Sequence, residues 1–415
     1  MSPGADLTRG AGGDVEASGG DILAKMNAGF RSHPAARLFD AGGEVALTPV
    51  ARPAVLEDRP GAAALLAALG RGAGFRIGGA GPAPEGEGVF ETLTSGSSGE
   101  PRRIRRSVAS WQASFAVNAG LFGIGPGQAV AVLGRLSHSL ALYGALEGLA
   151  LGAAVHLLDG LRPDRQRAAL AARGVTVIHA TPAQLRLLVE AGGPLLPELR
   201  LVLVGGSKLD PGLRSAMAAM APGAALREFY GAAEASFITL ADADTPADSV
   251  GAPYPGVEVQ LRGGELGEIW VRSPYLFQGY GGDDPGSARW DAGWLSVGEM
   301  GWLRQGHLYL AGRAGRMVTV ADQNVFPEEI EALMQGLSGV ARVAVLPRPD
   351  GLRGQVLIAV CQGDPAAEAE ILRAARQVLG PLKAPRALIW RQDWPVLASG
   401  KSDLERIDRE AGPWP

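Results

Sequence analysis

Cysteine is nearly absent from this chain. Cys361 is the single one in 415 residues, which excludes an internal disulfide framework and a cysteine-rich metal site. It lies in the apolar run Val356–Cys361 and reads as a small core residue rather than a nucleophile. Lysine is scarce as well: Lys25, Lys208, Lys383 and Lys401 are the only ones, and arginine supplies nearly all other positive charge. A lysine in such a chain is less often generic surface filler. No apolar run reaches the ~18 residues that a membrane helix needs. The N-terminus has no basic stretch leading into an apolar one, so a soluble, cytoplasmic protein without a membrane span is the expectation. The net charge of −4 gives no basis for nucleic acid as a partner.

What is present is a large apolar fraction, 47%, enough for two or three domains with sizeable cores. Residues 1 to 20 are rich in Gly, Ala, Ser and Asp without periodicity and read as a flexible tail. Residues 72–89, rich in Gly and Pro, read as loop. Between 128 and 220 the apolar runs Ala129–Leu133, Ala154–Leu158, Val175–Ile178 and Leu201–Val204 alternate with helical segments near 141–151, 163–172, 182–191 and 211–219. The third helix has a clear start, with Thr181 as N-cap, Pro182 next and Gln184 closing a capping box. Such alternation implies parallel βαβ units, whose ligands sit beyond the carboxyl ends of the strands.

The style then changes. Trp302–Leu310 reads as a hairpin turning at Gln305-Gly306, and Pro327 opens a helix with Glu328, Glu329 and Glu331 in its first turn. Strands near 341–346 and 355–361, a helix near 366–379 and a short strand at Ala387–Trp390 follow. The expected fold is therefore α/β: a large N-terminal domain, 21–312, with parallel βαβ sheets, and a small C-terminal α+β domain, 313–415, joined by a hinge near Gly312–Gly315.

The densest chemical signal is Thr94-Ser95-Gly96-Ser97-Ser98-Gly99-Glu100-Pro101-Arg102. Its two glycines and four hydroxyls suit a loop that presents N–H and O–H groups to phosphates, although it does not match the Walker A pattern. In Tyr230-Gly231-Ala232-Ala233-Glu234, the tyrosine can stack on a planar ring and Glu234 is a hard oxygen ligand suited to Mg²⁺. Glu299 and Arg313 form a carboxylate and guanidinium able to clamp two ribose hydroxyls. Each of these motifs also has a plain reading as a turn or solvated surface.

Taken in order, they resemble the adenylate-forming superfamily, which includes acyl-CoA synthetases, aryl-acid activating enzymes and peptide-synthetase adenylation domains. The resemblance runs from Glu91 to Ile407 and is nearest to bacterial acyl-CoA synthetases in Tyr230–Thr239 and Gly251-Ala252-Pro253. It adds Ser137-His138 and Gly144 as a segment gating the acyl pocket, Val204–Ser207 as its floor, and Pro395 to Gly400-Lys401 at the end.

The resemblance implies ATP, Mg²⁺ and CoA as cofactors and a carboxylic acid, fatty or aryl, as substrate. Lys401 would neutralise the meeting carboxylate and α-phosphate. Arg102 and the loop Thr94–Gly99 would hold the outgoing phosphates, Glu234 the metal, and Glu299 and Arg313 the ribose. Gly206, Tyr230, Gly231 and Ala233 would line the nucleotide. His138 is read either as a gate between the ATP and acyl pockets or as a polar residue at a strand end. Gly205–Ser207 and Ala235–Thr239 would line the acyl site, and their small or apolar side chains suggest an uncharged acyl group. The small domain would rotate between the two half-reactions.

Several positions depart from the pattern. Arg102 stands for a usual Lys, Ala233 for Thr and Glu299 for Asp. Gly315, Thr319 and Asp322 replace residues that the second half-reaction usually relies on, and the region before the phosphate loop is short. Three readings follow: an acid–CoA ligase, an adenylating enzyme that delivers its acyl group to a carrier-protein thiol or an amine, and a degenerate AMP-binding protein with a regulatory role.

Overall fold

The computed structural model describes residues 29–412, apart from residues 51–52, 95–100, 283, 285, 322, 352 and 398–401. The tail expected at 1–20, Ser95 to Gly99, Asp322 and Lys401 lie outside the described residues.

A nine-stranded sheet organises the large unit. Its six central strands, Ala225–Ala232, Leu201–Val204, Val177–Ala180, Ala129–Val132, Ala154–Leu157 and Arg37–Asp40, lie side by side and parallel. Antiparallel strands finish both edges. Helices Ser139–Leu151, Pro163–Ala172, Pro182–Glu190 and Pro211–Met220 make the crossovers. Two buried clusters sandwich the sheet: Leu142, Leu146, Leu149, Val130 and Val177 pack on one face, and Ile178, Leu185, Leu188 and Met217 on the other. The capping box at Thr181 is complete, with the hydroxyl and the Gln184 side chain each satisfying a backbone N–H.

Three outcomes differ from the sequence reading. The third strand starts at Val177 rather than Val175, because the N–H of Val175 still closes the preceding helix on the carbonyl of Leu170. The Gly/Pro-rich stretch 72–89 contains a fully buried strand, Phe75–Ile77, in a second sheet with Val89–Leu93 and Arg103–Ser107. Arg76 explains why. Its buried guanidinium donates to the carbonyls of Gly78, Ala80, Gly81 and Pro82 and to Glu91 at 2.7 Å. A turn with only small side chains is thus organised around one charge whose donors are all used. Helix Val108–Phe122, which the sequence reading missed, is capped by Ser107 and covers this sheet with Trp111 and Phe115.

A third, antiparallel sheet contains the hairpin Glu299–Arg304 and His307–Arg313, which turns at Gln305-Gly306 as its composition suggests. The chain then enters a small unit with a three-stranded sheet, a short hairpin and helices Pro327–Gln335, Glu368–Lys383 and Leu404–Ala411. Cys361 is fully buried in its core, and burial pushes its thiol up to about 12. Among the described residues no helix is long and apolar enough to cross a membrane.

His156, on a central strand, stacks on Phe39 at 4.6 Å. Burial, with Arg173 and Arg37 nearby, lowers its pKa from 6.5 to about 4. The folded state therefore holds a neutral ring where the unfolded chain takes up a proton. This group's contribution is lost as pH falls from about 6.5 toward 4, by roughly 3 kcal/mol at most. Replacing it in His156→Gln is expected to flatten the stability–pH curve in that window, measured by chemical unfolding at several pH values. A variant curve parallel to the wild type over the same window would refute this assignment.

Candidate active site

The residues singled out by sequence gather where the parallel strands end. His138 precedes helix Ser139–Leu151, just after strand Ala129–Val132. It bridges to Leu93, so this half-buried histidine adjoins the residue that leads into Thr94. The Thr94 N–H donates to the Arg102 carbonyl at 2.9 Å, closing the base of the Ser/Gly loop. Gly206 follows strand Leu201–Val204, and the Tyr230–Glu234 segment ends the neighbouring strand.

Two groups form on this face. In the first, the Tyr280 hydroxyl donates to Glu234 at 2.9 Å. Arg102 lies over the Tyr280 ring at 5.8 Å and pairs with Asp284 at 3.3 Å. Burial, then Glu234, pushes the Tyr280 phenol up to about 12, so it remains a proton donor to that carboxylate. In the second, Glu299 and Arg313 face each other across the first pair of the hairpin, 3.3 Å apart. The buried Tyr230 hydroxyl has no hydrogen-bond partner, and burial followed by the charge of Glu299 raises its pKa. The hairpin register is what brings residues fourteen positions apart together.

Gly231 has a local reason as well. A Cβ there would sit 2.0 Å from the Ser236 carbonyl, at the bulge where two strands pair. The close approach that glycine permits is to the chain's own backbone. The next residues are held by Arg106, which sequence reasoning missed. It is 1% exposed, donates to the Ala233 carbonyl from two nitrogens, and donates to the Tyr275 carbonyl at 2.8 Å. Burial lowers its pKa to about 9, with Glu234 acting against that. The signal was available: in Arg103–Ser107 the buried positions alternate, and Arg106 takes the inward place after Ile104.

The loop carrying Lys401 is tied at its base. Val396 bridges to Ser402, and the Trp394 indole donates to the Ser402 hydroxyl at 2.9 Å. Asp403 then caps helix Leu404–Ala411 through the Arg406 N–H.

This arrangement meets a direct comparison. The AMP-binding enzyme family matches residues 68–281, and its C-terminal domain matches residues 329–401. The chain belongs to the AMP-binding enzyme family. This AMP-binding enzyme is 31% identical over 332 residues to the protein named uncharacterized acyl–CoA ligase YhfT of Bacillus subtilis, covering 76% of the chain and 67% of that relative. Its fold is similar to that of amide bond synthetase McbA from Marinactinospora thermotolerans, with TM-score 0.74, 24% identity, and 94% and 99% of the two chains covered. It is also similar to o-succinylbenzoate CoA synthetase of Bacillus subtilis bound to its acyl-adenylate, with TM-score 0.69, 22% identity, and 77% and 68% covered. The adenylate-forming fold, a large unit with mixed sheets and a smaller C-terminal one, is thus shared with both.

Proposed function

We propose that the protein joins a carboxylic acid to the α-phosphate of ATP, releasing pyrophosphate, and passes the acyl group to the thiol of CoA. Its relatives are acyl–CoA ligases by name. The observation that carries the reading is the convergence at the strand ends of Arg102, Tyr280 and Glu234 with Tyr230, Glu299 and Arg313. One group supplies positive charge and a carboxylate for a phosphate chain. The other supplies a ring and a hydrogen-bonding pair for a nucleoside.

In the first half-reaction two anions meet, so charge must be neutralised and the reacting groups held in line. Lys401 supplies a compact positive charge between the carboxylate and the α-phosphate. Arg102, at the base of the loop from Thr94, faces the outgoing phosphates. Glu299 and Arg313 hold the ribose beside Tyr230. Glu234 fits Mg²⁺: it is a hard carboxylate oriented by the Tyr280 hydroxyl on one oxygen. A small ion that keeps water and phosphate ligands needs few protein carboxylates. When bound, Mg²⁺ neutralises charge on phosphate oxygens. In the second half-reaction the small unit turns about the link after Arg313, exchanging the Lys401 loop for the hairpin that begins at Val318.

The test is acid-dependent exchange of pyrophosphate into ATP across a panel of fatty and aryl acids, followed by addition of CoA. Exchange with at least one acid, then acyl-CoA, is expected; no exchange with any acid would instead favour a regulatory AMP-binding role. A second reading, delivery to a carrier-protein thiol or an amine, is favoured by Thr319, whose hydroxyl donates to Asn324 at 3.3 Å, and by the acidic Asp322 in the same hairpin segment. Exchange without acyl-CoA would select it.

A further inference from the structure

Beneath the proposed acyl site lies a buried polar pair that the reaction above does not use. Helix Ser139–Leu151 is apolar along its inner face except for Glu147, and strand Val177–Ala180 is apolar except for His179. The two side chains are fully buried, with His179 Nε2 3.2 Å from Glu147 Oε2. The other carboxylate oxygen accepts from Asn118 Nδ2 at 2.7 Å, and the Asn118 carbonyl oxygen accepts from Tyr254 at 2.7 Å. Glu147 Oε2 and both ring nitrogens of His179 have no hydrogen-bond partner. Burying such groups unmatched costs about 1–3 kcal/mol each, more when charged, so their retention in a packed core calls for a reason.

Their position supplies one. Gly205 and Ala235–Thr239 are the segments read as lining the acyl group. Gly205 lies under the Phe229 ring, which packs on Phe237 with centroids 4.5 Å apart. Phe237 meets Tyr143 edge-on at 5.4 Å, and Tyr143 lies 6.2 Å from His179. A continuous run of ring contacts thus connects Gly205, just past a strand end, with the pair. Gly144, one turn before Glu147, makes room for it: a Cβ there would stand 2.8 Å from Cγ and 3.1 Å from Nδ1 of His179.

We propose that His179 and Glu147 form the specificity end of the acyl site, reading a neutral hydrogen-bonding group, foremost a hydroxyl, at the end of the acid remote from its carboxylate. A hydroxyl both donates and accepts, so it serves the carboxylate oxygen and an imidazole nitrogen together. A charged group would lose its hydration in this core with no counter-charge of its own to meet. The run of rings accepts the apolar body of the acid between its two polar ends. This inference rests on the adenylation reading.

The experiment measures pyrophosphate exchange for matched acids: benzoate against meta- and para-hydroxybenzoate, and octanoate against omega-hydroxyoctanoate. The hydroxylated member of one pair is expected to lead in kcat/KM by about 100-fold, chiefly through KM, because a site built to bond a hydroxyl rejects the analogue that lacks it. In His179→Leu, and in the shape-preserving His179→Gln and Glu147→Gln, that ratio is expected to collapse to within about threefold. ATP binding to each variant reports that the fold is kept. Equal or reversed preference in the wild type overturns the inference while leaving adenylation intact, and so does a ratio that survives in every folded variant. The wild-type comparison stands even where a variant does not fold. Absence of exchange with every acid overturns the adenylation reading and this inference with it.

Discussion

Lys401→Ala is expected to lower acid-dependent pyrophosphate exchange by about 10²–10³-fold, the usual effect of removing one preorganised charge from a transition state. The same variant is expected to convert supplied acyl-adenylate to thioester at close to the wild-type rate, since the lysine serves only the step in which two anions meet. The split between the assays is the informative part. A lysine that merely stabilised the small unit would impair both. Lys401→Arg is not expected to rescue exchange, because a planar fork does not replace a compact ammonium. The next residue, Ser402, is held by Val396 and Trp394. Full exchange in Lys401→Ala would sink the assignment.

Arg106→Met carries the largest expected effect on stability, about 2–6 kcal/mol, because two carbonyls each lose a donor at about 1–3 kcal/mol apiece. Methionine fills much of the volume but leaves the carbonyls of Ala233 and Tyr275 without the donors they now have. It also removes the positive neighbour of Glu234. Chemical unfolding of the large unit reads the first consequence. A raised KM for ATP reads the second, because the segment from Tyr230 to Glu234 loses its anchor. Arg106→Lys recovers part of the charge, but one ammonium does not reproduce a fork spanning two carbonyls. An unfolding midpoint unchanged in Arg106→Met would mean that the carbonyls find other donors.

Local signals made much of the scaffold legible. The capping box at Thr181, the turn at Gln305-Gly306 and the strand Leu201–Val204 depend on neighbours within a few residues, and all three appear in the structure. Arg106 and Arg76 depend on distant or unusual partners. One binds carbonyls more than a hundred residues away, and the other organises a glycine-rich turn by charge instead of apolar packing. Periodicity does not report either arrangement. The pairing of Glu299 with Arg313 falls between these cases, since both residues were chosen for their side-chain chemistry and the hairpin register supplies their contact. Glu147 and His179 were not singled out in the sequence; each interrupts an apolar element, and their meeting requires the crossover from helix to strand.

The link between the two units holds a last consequence. Arg313 is bonded to Glu299, and the Ala314 N–H to the Gly298 carbonyl, so the chain is fastened to the large unit as far as Ala314. Arg316 is fastened to the small one, pairing with Glu328 and Glu331 and donating to the Val345 carbonyl. Gly315 lies between, and a Cβ added there would meet nothing within 4 Å. Gly315 sits in a short 3-10 turn, Ala314–Arg316, which the Met317 N–H closes on the carbonyls of Arg313 and Ala314. The proposed turn is then the uncoiling of a short spring: that spiral and the seat of Glu328 on Gly312 are what rearrange, while Glu299 and Arg313 stay with the large unit.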